Sequence, residues 1–138
     1  MHRLRTQRVS GLVLLAGLQW GCFPFAPPVD YSTEVQRQAT RLHYDMEDSD
    51  ARTHMMICQL RGMFADDLAW NRKWHNTTLE EALAKIDKTQ HALGNSPNLR
   101  AIGAANRQLA LTVYAHPAWT ERDAGLYAIQ ECLRDYPR

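Results

Sequence analysis

The chain of 138 residues has no run of clustered lysine and arginine, no glycine-rich turn after a strand-like segment, and no closely spaced pairs of metal-ligand residues. Each absence removes a class of function. A nucleic-acid binder needs concentrated positive charge to displace counterions from phosphates. Arg3, Arg5 and Arg8 account for three of the 16 basic residues, so residues 22–138 carry 13 basic against 15 acidic side chains and are close to neutral. A phosphate-cradling loop would need glycines between a strand and a helix, and alternating strand patterns are absent. Only one long apolar run occurs, at the N-terminus. No cofactor is implied.

That N-terminus follows a secretory plan. The basic residues of segment 1–8 precede Val9-Ser10-Gly11-Leu12-Val13-Leu14-Leu15-Ala16-Gly17-Leu18, and no acidic residue occurs before Asp30. The run has the length of a signal-peptide core, roughly 7–15 residues. It is shorter than the about 20 apolar residues of a membrane-spanning helix, although a retained signal anchor is the second reading. Leu18-Gln19-Trp20-Gly21-Cys22 resembles a bacterial lipobox, in which a small residue precedes a lipid-modified cysteine. Gly21 and Cys22 fit it; Gln19 and Trp20 depart from it. The expectation is a signal peptide over 1–21 with lipidation at Cys22, and the alternative is a plain cleaved signal. Membrane attachment then rests on Cys22 alone.

Cysteine parity points the same way. Of three cysteines, one is left over after pairing, and an odd cysteine in an exported protein needs its own explanation. Acylation of Cys22 supplies one and leaves Cys58 and Cys132 to pair in an oxidising compartment. Closing so long a loop stabilises a fold by about 4 kcal/mol in the chain-entropy model.

Residues 22–31 contain Pro24, Pro27 and Pro28 and read as an extended tether before a domain over 32–138. Helix-start signals then recur. Thr33 to Gln36 reads as a capping box, with Val35, Ala39, Leu42 and Met46 on one face. The acids between Asp45 and Asp50 end this helix or open the next. A second helix is expected over 51–74, with Met56, Leu60, Met63 or Phe64, Leu68 and Trp74 as its buried stripe and a bend or break at Gly62. Thr78 to Glu81 is another capping box, and Leu79, Ala82, Leu83, Ile86 and Leu93 give a buried face that stops at Gly94. Ser96-Pro97 opens a fourth helix carrying Leu99, Ile102, Leu109 and Val113, with Gly103 marking a close helix–helix approach. Thr120 to Asp123 caps a last one, ending near Asp135. About five helices with short connections imply a small all-α antiparallel bundle with one disulfide.

Few residues suggest chemistry. His54 and Cys58 share a helical face, which is the spacing of an imidazole-activated thiolate; the competing reading is a structural half-cystine beside a surface histidine. His43, His54 and the acids between them lack the ligand spacing of a zinc or calcium site, so no metal site and no catalytic residue is expected. Trp70 and Trp74, flanked by Arg72, Lys73 and His75, could form a contact surface for a partner or a lipid headgroup region, although such residues are more often core anchors at a helix end. Asn76-Thr77-Thr78 matches a glycosylation sequon, which a bacterial signal makes irrelevant.

Val113-Tyr114-Ala115-His116-Pro117, Trp119-Thr120-Glu121, Ala128 and Cys132-Leu133 together resemble a pattern in small exported proteobacterial proteins of unknown function. The resemblance covers roughly residues 55–135 and implies a helical fold with Cys58 and Cys132 as half-cystines. A fainter likeness links Cys132-Leu133-Arg134-Asp135-Tyr136 to the type VI amidase immunity proteins, which are helical, periplasmic and disulfide-bonded. The expectation is a non-catalytic envelope protein, periplasmic or lipid-anchored, that acts through contact with a protein partner. The alternative is an immunity or inhibitor protein that blocks a periplasmic toxin or hydrolase.

Overall fold

A computed structural model describes residues 29–137. The signal segment 1–21, most of the tether and Cys22 lie outside the described residues. Five helices follow in order: α1 Tyr31–Arg41, α2 Ser49–Trp74, α3 Leu79–Leu93, α4 Pro97–Tyr114 and α5 Glu121–Arg134. No strand occurs among the described residues, so the fold is an all-α bundle. No described helix is long and apolar enough to cross a membrane.

The three C-terminal helices start where the local chemistry directs. Thr78 and Thr120 each accept the N3 backbone N–H, from Glu81 and Asp123, whose carboxylates accept the cap's own N–H in return. Ser96 accepts from the Leu99 N–H with Pro97 behind it. Gly94, at φ 131°, ends α3 in a conformation that a side chain would strain.

Three expectations fail. The cap of α1 is Asp30, not Thr33. The Asp30 carboxylate accepts from both the N–H and the hydroxyl of Thr33, and an ionised acceptor outcompetes the weaker Thr33–Gln36 box. These bonds hold the Asp30 carboxyl below the usual carboxylate range. Helix α1 stops at Arg41, so Met46 lies outside it and is exposed. Helix α2 runs unbroken through Gly62.

The reason is the α2–α5 seam, the most extensive contact in the bundle. Cys58 and Cys132 form a disulfide with Cα atoms 5.4 Å apart. Helix axes ordinarily pack 8–10 Å apart, so a cross-link this short needs small neighbours. Gly62 and Ala65 on α2 face Gly125, Ala128 and Ile129 on α5, all buried. A Cβ at Gly62 would stand 2.7 Å from Ile129 Cγ1 and 3.3 Å from the Gly125 carbonyl. One core cluster surrounds the disulfide with Val35, Ala39, Tyr44, Met55, Ile129 and Leu133. A second joins Ala65, Leu68 and Ala69 to Ile86, Leu109, Val113 and Ala124.

Tyr31 locks α1 onto the seam. Its ring lies over Gly125 and its hydroxyl donates to the Asp66 carboxylate at 2.5 Å. Burial pushes the Tyr31 phenol well up, and the Asp66 carboxylate adds to the rise. Tyr44 completes the clamp by donating to the Leu133 carbonyl.

Gly125→Ala therefore destabilises the protein by about 1–3 kcal/mol through overpacking against a rigid ring, despite the better helix propensity of alanine; urea denaturation measures it. A raised phenol pKa stabilises the fold fully below the ordinary tyrosine value, near 10, and that contribution is lost as pH rises towards the folded value. Stability is thus expected to fall above about pH 10, and less steeply in Tyr31→Phe, as thermal melts across alkaline pH would record.

Candidate functional site

Two stripes run along α2 with identical spacing. Ala51, Met55, Cys58, Gly62, Ala65 and Ala69 advance in steps of four and three and are all buried. Met56, Leu60, Met63, Asp67, Trp70 and Trp74 advance in the same steps, five residues later, on the opposite side. The five apolar members are 63, 59, 48, 46 and 56% exposed in that order, a surface row about 27 Å long at the helical rise. The bulky stripe expected to be buried is thus mostly on the surface. Only Leu68 of that set is in the core, because the close α2–α5 approach admits small side chains alone. Two of the row's members are methionines, whose flexible side chains suit adaptable contact.

The row adjoins a cleft of about 410 Å³ between α2, α3 and α4. Phe64, Leu68, Ile86, Leu93, Leu99 and Ile102 line it, and Asp67 belongs to both row and cleft. It exists because α3 packs chiefly on α4 while α4 meets α2. The hairpin is tight: a Cβ at Gly103 would come within 2.8 Å of Gln90 Cγ, the close approach expected there. Leu93 and Ile102, expected to be buried, are 65 and 55% exposed. They stand at the end of the hairpin, which α2 does not cover. Polar groups line the cleft as well, including Asn71, Glu81, Lys85, Gln90 and Asn106. The Tyr114 hydroxyl donates to the Thr77 carbonyl at 2.8 Å, and burial raises its phenol pKa.

At the other end of the row, Trp70 and Trp74 pack with ring centroids 5.6 Å apart. Lys73 lies over the Trp74 ring, and the Trp74 indole N–H donates to Glu121 at 3.2 Å. Desolvation would raise the Glu121 carboxyl, but its backbone N–H, the Trp74 indole and Lys73 outweigh this and lower it. Neither tryptophan is a core anchor. Arg72, beside them, turns inward and was not singled out from sequence as a structural residue. It donates to the carbonyls of Val113, His116 and Trp119 and lies over the Tyr114 ring, fixing the corner between α4 and α5. Backbone acceptors leave no mark in a sequence, so only a lone arginine near a proline corner could have hinted at it.

Away from the cleft, His54 is half-buried beside the disulfide. Its Nε2 is 2.8 Å from the Cys132 carbonyl oxygen and 3.9 Å from Cys132 Sγ. Its ring packs against Tyr136, with centroids 4.9 Å apart, and more distantly against Tyr44. Cys58 and Cys132 are half-cystines as expected, so no thiolate is available to His54 in this state. His43 is exposed at the end of α1, in the left-handed region, and does not join the cluster.

No protein-family model, curated protein or solved structure matches the chain.

Arg72→Met removes the donors that satisfy three carbonyls at the corner while keeping much of the side-chain volume. A loss of about 2–4 kcal/mol is expected, read from chemical denaturation, with amides of residues 113–120 losing protection from hydrogen exchange first.

Proposed function

We propose that this is a non-catalytic protein of the bacterial envelope that works by contact with a protein partner, through the outer row of α2 and the cleft beside it. The observation that carries the reading is the row of exposed apolar side chains from Met56 to Trp74, interrupted only by Asp67, which itself lines the α2–α3–α4 cleft. Isolated exposed apolar residues are ordinary, but an aligned set beside a concave apolar site is the usual form of an interaction surface. The row is straight and the cleft is apolar with polar edges, which suits an amphipathic helix presenting residues at i, i+3, i+4 and i+7. Trp70 and Trp74, held in place by each other and by Glu121, are the anchors that such an interface uses.

The secretory pattern of residues 1–21, the lipobox-like Gly21-Cys22 and the buried disulfide support an address in an oxidising, extracytoplasmic compartment. Lipidation would hold the domain close to a membrane and leave its contact surface free.

The test is a photo-crosslinking residue placed in living cells at Leu60, Trp70 or Ile102, with Lys88 as an exposed polar control. A discrete adduct from the apolar positions and none from the control is expected, and mass spectrometry identifies the bound protein. Leu60→Glu with Ile102→Glu should abolish the adduct while changing stability by no more than about 1 kcal/mol, since both positions are exposed. A partner that is a toxin or hydrolase would place the protein among immunity factors. Adducts no stronger than the control would sink the contact reading.

A further inference from the structure

The disulfide cluster offers a second chemistry. His54, Cys58 and Cys132 bring an imidazole nitrogen and two Sγ atoms within 4.8 Å of one another. Tetrahedral zinc, with Zn–S near 2.3 Å and Zn–N near 2.0–2.1 Å, requires ligand atoms about 3.5–3.8 Å apart. The His54 Nε2 to Cys132 Sγ distance of 3.9 Å is already close to that spacing, and the two Sγ atoms, bonded to each other in the disulfide, must move apart to reach it once reduced. We propose that, when the disulfide is reduced, His54 Nε2, Cys58 Sγ and Cys132 Sγ form a three-ligand site for a zinc ion.

Three features prepare the site. His54 and Cys58 are one helical turn apart on α2, so a rigid helix presents both ligands on one face. The His54 ring is held by Tyr136 and Tyr44, so little ordering remains to be done on binding. Cys58 is fully buried and Cys132 nearly so, while His54 is half-buried, which gives the ion a route in from the imidazole side. A fourth position would be left for water, as in zinc sites with three protein ligands.

A dithiol reductant supplies two electrons and two protons, becomes a disulfide itself, and leaves Cys58 and Cys132 as thiols. Zinc then displaces both thiol protons to solvent and takes the Nε2 lone pair, with the imidazole proton on Nδ1. The bond between Nε2 and the Cys132 carbonyl is given up. The ion ties α2 to α5 at the same two residues as the disulfide, so the same loop stays closed. Zinc binding would therefore preserve the helical pairing while the thiols are reduced.

Cobalt(II) is the probe, because thiolate ligands give it charge-transfer absorption and a tetrahedral site intensifies its visible bands. The full chain carrying Cys22→Ser is titrated with cobalt, reduced and oxidised, followed by displacement with zinc. One equivalent with thiolate absorption is expected in the reduced form, none in the oxidised form, and zinc should displace it. His54→Gln should weaken binding by at least about tenfold, since even residues behind the ligands contribute that much. Helicity of the reduced chain, followed by circular dichroism, should be held or restored by zinc. Failure of the reduced chain to take up cobalt, thiolate absorption with unchanged affinity in His54→Gln, or helicity indifferent to zinc would each overturn the proposal. None of these outcomes touches the contact reading, because the three ligands lie outside the cleft.

Discussion

Everything else in the molecule is arranged around the close approach of α2 and α5. A cross-link with Cα atoms 5.4 Å apart can form between two helices only if the residues next to it are small. Gly62, Ala65, Gly125 and Ala128 meet that requirement, and their backbones touch where most helix pairs would interpose leucines. The consequence for α2 is unusual. Its seam is filled mainly by small side chains, so most of its large apolar residues, Met55 and Leu68 apart, stand along the outer surface. A single steric constraint thus explains both the stability of the seam and the surface that the protein has available for binding.

Local chemistry was readable from sequence, and long-range chemistry mostly was not. The boxes at Thr78 and Thr120, the Ser96-Pro97 start and the Gly94 stop depend on side chains within four residues, and the structure has each of them. The choice of buried face on α2 depends on a partner distant in sequence. Both stripes repeat in steps of four and three, and size favoured the wrong one. Cys58 lies on the small-residue stripe, so taking its pairing with Cys132 as a packing constraint would have selected the correct face. Asp30 was overlooked at the start of α1 because Thr33 offered a complete box, although the carboxylate accepts both of the Thr33 donors.

The candidate site was legible in pieces. Trp70 and Trp74 stood out by type and spacing, but the cleft they lead towards is made by the angle of the α3–α4 hairpin, which no local pattern records. Leu93 and Ile102 fit the helical period of their own elements as well as any core residue does. They are exposed because α2 does not extend over the end of the hairpin, a fact about three helices at once.

The two core clusters divide the bundle along its length. The covalent bond belongs to the one shared by α1, the first half of α2 and the end of α5. The other, which carries α3 and α4, is held by side-chain packing and by the Arg72 corner. Protein regions open with different free energies, set by the contacts and hydrogen bonds each must give up. The cleft is built on the half that carries no covalent bond of its own. Spreading the hairpin works against packing and the Arg107–Asp87 ion pair, with no covalent bond across it. The fold thus separates a half that carries the covalent bond from a half held by non-covalent contacts.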